Sequence, residues 1–215
     1  MEEKQDLRVV KTKRAIREAL LKLVKEKDFA KVSVRDLCEY AEINRGTFYL
    51  HYQDKFDLLD RIEQELLDTL IDLMTKRMAN KMEHFVSHPD FLLRFATELF
   101  RYVDNEAEVF SMLLLDSVSP TFPNKLKDVI RGNFLRAQKK EFNPSTLSIP
   151  FDYLMAYATS ANVGLMQQWL AEGRKNPPEK MAEVLVTITM MGPVRAMGFK
   201  HTFKMSSNSN NPESH

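Results

Sequence analysis

This chain is short of the residues that cross-link a fold or loosen it. One cysteine, Cys38, stands in 215 residues, so an internal disulfide cannot form and a secreted disulfide scaffold is excluded. Glycine occurs 6 times while methionine occurs 12 times, and the long segments between turn residues carry helical apolar periodicity, which points to an all-α protein. No window approaches the ~20 consecutive apolar residues of a membrane span. The N-terminal MEEKQDLRVVKTKR lacks the apolar core of a secretory signal. A cytoplasmic protein with no membrane partner is therefore expected. Glycine-rich phosphate loops, GxSxG and paired-carboxylate motifs are missing as well, so an enzyme is disfavoured and no cofactor is expected. His84 and His88 have helical i, i+4 spacing, but Pro89 follows at once and no further ligand joins them, so no metal is expected. Cys38 has no evident histidine partner and reads as a small buried residue.

What the chain does have is concentrated in SVRDLCEYAEINRGTFYLHYQDKFD, residues 33–57. Ser33 and Asp36 form a capping box that predicts a helix over 34–40. Asn44 is the next N-cap and predicts a helix over 45–52, and Asp54 with Asp57 caps a third helix from Lys55. Only Ala41, Glu42 and Ile43 join the first two, a turn short enough to force a steep crossing of helix-turn-helix type. The second of these helices carries Gly46 in its first turn, where glycine costs roughly 0.5–1 kcal/mol relative to alanine. A bare Cα there allows close approach of another surface. Arg45, Thr47, Tyr49, His51 and Tyr52 around it offer groups suited to phosphates and base edges. The plainer alternative is a surface helix anchored by Phe48 and Leu50. The preceding segment holds Lys4, Arg8, Lys11, Lys13, Arg14 and Arg17 against a single acid, Asp6, within a chain whose net charge is only +1. Beside a helix-turn-helix, such a basic run suits phosphates.

These residues resemble the DNA-binding domain of the tetracycline-repressor (TetR) family of transcriptional regulators. Thr12, Ala41, Gly46-Thr47-Phe48-Tyr49, His51-Tyr52 and Lys55 fall where that family's pattern places them, over about the first third of the chain. Glu42 departs from the pattern, which usually has glycine in the turn; a non-glycine residue at positive φ costs on the order of 1 kcal/mol. The resemblance implies an N-terminal helix-turn-helix domain over 1–54 (the motif itself at about 33–52), a connecting helix over 55–78 and a helical regulatory and dimerisation domain over 79–204; the polar, low-complexity composition of 205–215 predicts a disordered tail. It further implies that Arg45, Gly46 and Thr47 face base edges of double-stranded operator DNA, and that Tyr49, His51, Tyr52 and Lys55 hold phosphates, helped by Thr12, Lys13 and Ser33. A homodimer would then set two copies of helix 45–52 in successive major grooves, roughly 34–36 Å apart.

Beyond the first domain, a helix is expected from Pro89 to about Val103, another capped by Asn105, a third reaching about Lys140, a loop over 142–150, and two long helices over 150–172 and 178–198 with a kink at Pro193. Ala156, Ser160, Ala161 and Gly164 put small residues on one strip of the first long helix, flanked by Tyr157, Leu165, Gln168 and Trp169, while Val184 and Ile188 lie on an apolar stripe of the second. Periodicity leaves open whether these strips are internal or pair two subunits. The family resemblance favours a dimer interface of Tyr157, Ser160, Ala161, Gly164, Gln168, Val184 and Ile188. The segment VGLMQQWLAEGRKNPPEKMAEVL resembles the C-terminal domain of one subgroup of these regulators. Phe91, Phe95, Phe110, Phe134 and Met155 read either as ordinary core or as the lining of a pocket for an apolar small-molecule effector. The expected function is a homodimeric repressor released by such an effector. The alternatives are an adaptor of the same fold that binds a partner protein, and a ligand-binding or enzymatic helical bundle.

Overall fold

Ile16, Ala19, Leu20 and Leu23 recur at helical spacing on the first helix, and all four are buried, so this stripe seats the segment on everything that follows. The computed structural model describes residues 7–78, 89–116, 118–137 and 148–197; among these there are nine α-helices, one 3-10 turn and no strand. The helices are α1 (Leu7–Glu26), α2 (Val34–Tyr40), α3 (Arg45–Tyr49), α4 (Lys55–Met78), α5 (Pro89–Asn105), α6 (Ala107–Leu114), α7 (Phe122–Ala137), α8 (Phe151–Ala171) and α9 (Pro178–Ala196); the 3-10 turn (Phe29–Lys31) links α1 to α2. His84, His88 and the 205–215 tail lie outside the described residues.

The first three helices and the start of α4 form a head. The body is built from the rest of α4 and α5–α9, with α4 against α5 and α7, α5 along α9, and α8 against α6 and α7. One buried apolar cluster runs from Ile16 and Leu37 through Leu58, Ile62 and Leu70 to Phe110, Trp169 and Ala182, so head and body share a core. Contacts between α1 and α6 add to it: Arg17 pairs with Glu106, and Lys25 lies 3.6 Å from Glu108.

Two boundaries differ from the expectations, and the kink expected at Pro193 is present. Asn105 is the last residue of α5 rather than a cap, and Glu106 takes the N-cap place of α6 without a side-chain hydrogen bond. The helix expected over 45–52 ends at Tyr49, and Leu50 and His51 continue as a turn. The break in the final helix falls at Gly192, which has φ 74° and ψ 159°: proline crowds the residue before it out of the helical region, and glycine accepts the resulting backbone. The α8–α9 hairpin is closed by Gly173 at φ 70°, and the Trp169 indole donates to the Asn176 carbonyl at 2.9 Å while its ring meets Phe100 edge-on.

A buried charge crosses the body. Glu63 of α4 is 2% exposed and accepts a hydrogen bond from the Lys125 ammonium of α7 at 2.6 Å, with Asp60 a further 3.6 Å from the same nitrogen. The hydrogen bond to Glu63 holds the Lys125 pKa above its ordinary value. Lys125→Met should leave a lone buried carboxylate and lower stability by about 2–3 kcal/mol, less than a fully buried pair because Lys125 is partly open to water. The pair Lys125→Met with Glu63→Leu should recover most of that loss. Urea unfolding midpoints of the single and double variants check both outcomes.

Candidate nucleic-acid interface

The head is assembled from its caps. Ser33 Oγ accepts from the Asp36 amide at 3.2 Å and the Asp36 carboxylate accepts from the Ser33 amide at 2.8 Å, so the expected capping box is present. The Lys27 ammonium lies 2.8 Å from the same carboxylate. That hydrogen bond, followed by those from Ser33, holds Asp36 far below the usual carboxylate range. Asn44 Oδ1 accepts from the Thr47 amide at 2.8 Å, and Asp54 Oδ1 accepts from the amides of Phe56 and Asp57, each at 2.8 Å. Between α2 and α3 the chain reverses at Glu42, whose φ is 53°, and the Ile43 amide donates to the Cys38 carbonyl at 3.0 Å. The turn therefore adopts the left-handed backbone that glycine would take without strain, at a cost of about 1 kcal/mol. Cys38 is buried as expected, and burial pushes its thiol pKa up.

Phe48 is the pivot of α3. It is fully buried, with Tyr52 at 5.5 Å and Tyr49 edge-on at 5.6 Å between ring centroids. Burying this one side of a short helix turns Arg45, Gly46, Tyr49 and Leu50 outward. A Cβ placed on Gly46 would meet only Asn44 Oδ1, at 3.3 Å, so the outer face is open there. Thr47 is half-buried, and its hydroxyl donates to Asn44 Oδ1 at 3.1 Å. His51 is half-buried beside Tyr52. Ser33 is exposed at the start of α2; Thr12 and Lys13 are half-buried on α1, and the Thr12 hydroxyl donates to the Arg8 carbonyl.

Two expected phosphate contacts have other work. Tyr52 is 6% exposed and belongs to the core; Arg61 stacks 5.8 Å from its ring centroid, and burial pushes its phenol pKa up. The Lys55 ammonium points into the head, where it donates to the carbonyls of Phe29, Ala30 and Val32 at 2.8, 2.9 and 2.8 Å. The rings of Phe29 and Phe56 flank it at 4.9 and 5.2 Å. All three ammonium protons are thus taken up within the chain. The basic run is also partly committed, since Arg14 pairs with Glu18 and Arg17 with Glu106.

Sequence comparison matches residues 16–62 to the model for bacterial regulatory proteins of the tetR family, and residues 90–191 to a transcriptional regulator C-terminal region of the TetR type. The chain belongs to the TetR family. It is 31% identical over 191 residues to an uncharacterised HTH-type transcriptional regulator, YxbF, of Bacillus subtilis (strain 168). That alignment covers 84% of this chain and 45% of YxbF, so the chain spans less than half the length of that relative. A TetR transcriptional regulator from Streptococcus agalactiae 2603V has the same fold at 22% identity and a TM-score of 0.56, covering 86% of this chain and 96% of that one. A TetR-family regulator from Syntrophomonas wolfei str. Goettingen gives a TM-score of 0.59 at 18% identity, covering 87% and 95%. In this TetR-family head, two features escaped sequence reading. Leu50 is 81% exposed although its apolar character suits an anchor, and the half-buried Lys55 turns its ammonium onto backbone carbonyls although its charge and helix-start position suit a phosphate ligand. Only the aromatic neighbours Phe29 and Phe56 hinted at the second.

Lys55→Met keeps the length of the side chain and takes the ammonium away from three carbonyls, of which that of Phe29 keeps the Val32 amide. It should lower thermal stability by about 2–3 kcal/mol. Scanning calorimetry checks this; an unchanged melting temperature would return Lys55 to a purely DNA-facing role.

Proposed function

We propose that this chain is a sequence-specific DNA-binding regulator that acts as a homodimeric repressor and leaves its operator when an apolar small molecule binds the body. The observation that carries the reading is the face of α3: Phe48 is fully buried while Arg45, Gly46 and Tyr49 on the same short helix are exposed. Arg45 and Gly46 meet base edges in the major groove, Tyr49 and His51 hold phosphates, and Thr12, Lys13 and Ser33 contact the flanking backbone. Tyr52 and Lys55 contribute by fixing the position of α3.

Dimerisation is supported by the outer strip of α8. Tyr153 and Tyr157 are 74% and 57% exposed, and Ser160, Ala161, Gly164 and Gln168 are exposed beside Tyr157. Val184 and Ile188 of α9 are half-buried and open to the same kind of contact. A second copy laid on this strip would complete a four-helix contact. Gly164 has nothing within 4 Å of where a Cβ would stand, so Gly164→Arg should leave the subunit folded and convert dimer to monomer. Light scattering at micromolar concentration reads the outcome.

Effector release is supported by a satellite cluster of Met74, Leu92 and Phe95, separate from the main core and bordered by Val129, Ile130 and Val186. Phe91 is half-buried, Met155 is buried and Phe134 stacks on Phe151 at 5.9 Å, whereas Phe110 is fully buried between Tyr102 and Phe122 and belongs to the main core. A ligand displacing α7 would move α4 through the Glu63–Lys125 bond, and it shifts the equilibrium only by its differential affinity for the two arrangements.

DNA binding by variants tests the site. Arg45→Ala should lose about 1–3 kcal/mol of discrimination at one base pair of each half-site. Tyr49→Ala should weaken operator and random DNA alike, and Tyr52→Phe should leave both unchanged. Fluorescence anisotropy with duplexes selected from a random pool gives these affinities; wild-type values in both Arg45→Ala and Tyr49→Ala would remove α3 as the reading element.

A further inference from the structure

The geometry points to Leu50 as a specificity-determining residue that reads the 5-methyl group of a thymine, an inference that rests on the DNA-binding reading of α3. Leu50 is 81% exposed, more than any other buried or exposed large apolar side chain of the head, and it directly follows the exposed Tyr49. Its amide donates to the Gly46 carbonyl at 3.2 Å, so it continues the helical turn and lies on the face of Gly46 and Thr47, four and three residues away. A side chain in this conformation leans toward the helix start, and the outer face at Gly46 is open.

The neighbouring polar group is not free to donate to a base. The Thr47 hydroxyl proton goes to Asn44 Oδ1, which already serves as the cap of α3. The Gly46–Thr47–Leu50 face therefore presents a bare Cα, a hydroxyl whose proton is engaged, and an isobutyl group. Among base edges in the major groove, the thymine methyl is the apolar one, and it matches an apolar contact. Arg45, one residue before Gly46, supplies the polar readout beside it.

The test uses the full-length wild-type chain and Leu50→Ala with a duplex selected by the wild type from a random pool. Each thymine of the half-site is replaced in turn by deoxyuridine, which removes only the methyl group. One replacement should weaken wild-type binding about fourfold per half-site, the value of one buried methyl, and should leave Leu50→Ala unaffected. A second selection with Leu50→Ala should lose the preference for thymine at that position alone. Since Leu50 is exposed, the variant should melt with the wild type. Sequence-preferring binding in which no deoxyuridine replacement separates the two proteins overturns the role of Leu50 and leaves the regulatory reading standing. Failure of the wild type to prefer any sequence overturns both.

Discussion

The head is organised around one ammonium group. Lys55 opens α4, yet its Nζ lies against three carbonyls of residues 29–32, at the end of the 3-10 turn, beside the edge-on pair of Phe29 and Phe56 rings. The Val32 carbonyl belongs to a buried residue and would carry a desolvation cost without a donor, while the Phe29 carbonyl also accepts from the Val32 amide at 3.1 Å. A single charge removes that cost and at the same time ties the entry of α2 to the base of α4. Because the α2 cap at Ser33 begins one residue after the last of these carbonyls, the placement of α2, and through the Glu42 turn that of α3, follows from this contact.

Much of this was readable from residue order, for definable reasons. Caps are local: Ser33, Asn44 and Asp54 each act within three residues, so their partners are visible in the chain and their helices begin where expected. Helix periodicity is local too, which is why the Ile16, Ala19, Leu20 and Leu23 stripe of α1 coincides with buried residues. Long-range destinations are not visible in this way. A lysine at a helix start reads equally as a phosphate ligand or as a donor to a loop 25 residues earlier, and the sequence has no term for the second. Tyr52 and Leu50 exchange the roles their chemistry implies: helical hydrogen bonding continues past Tyr49, so Tyr52, four residues after Phe48, turns inward beside it while Leu50 turns outward.

Polar contacts between helices, one of them between head and body, are set into a common apolar core. Glu63 and Lys125 bind α4 to α7, Arg17 and Glu106 bind α1 to α6, and Arg174 binds the α8–α9 hairpin to Asp104 of α5. The first of these is the most constrained, since Glu63 is buried and has little freedom to exchange its partner for water. Glu63 and Lys125 therefore tie the position of α7 to that of α4.

The unbroken cluster from Ile16 to Ala182 also bears on how the molecule comes apart. Two domains joined by a polar linker can melt in two steps, but a shared core makes the loss of either half expose the apolar surface of the other. The head is thus not a detachable cassette. Grafting it onto another body would require carrying α4 and the α6 surface that α1 rests on, and unfolding of the native chain becomes a single cooperative event.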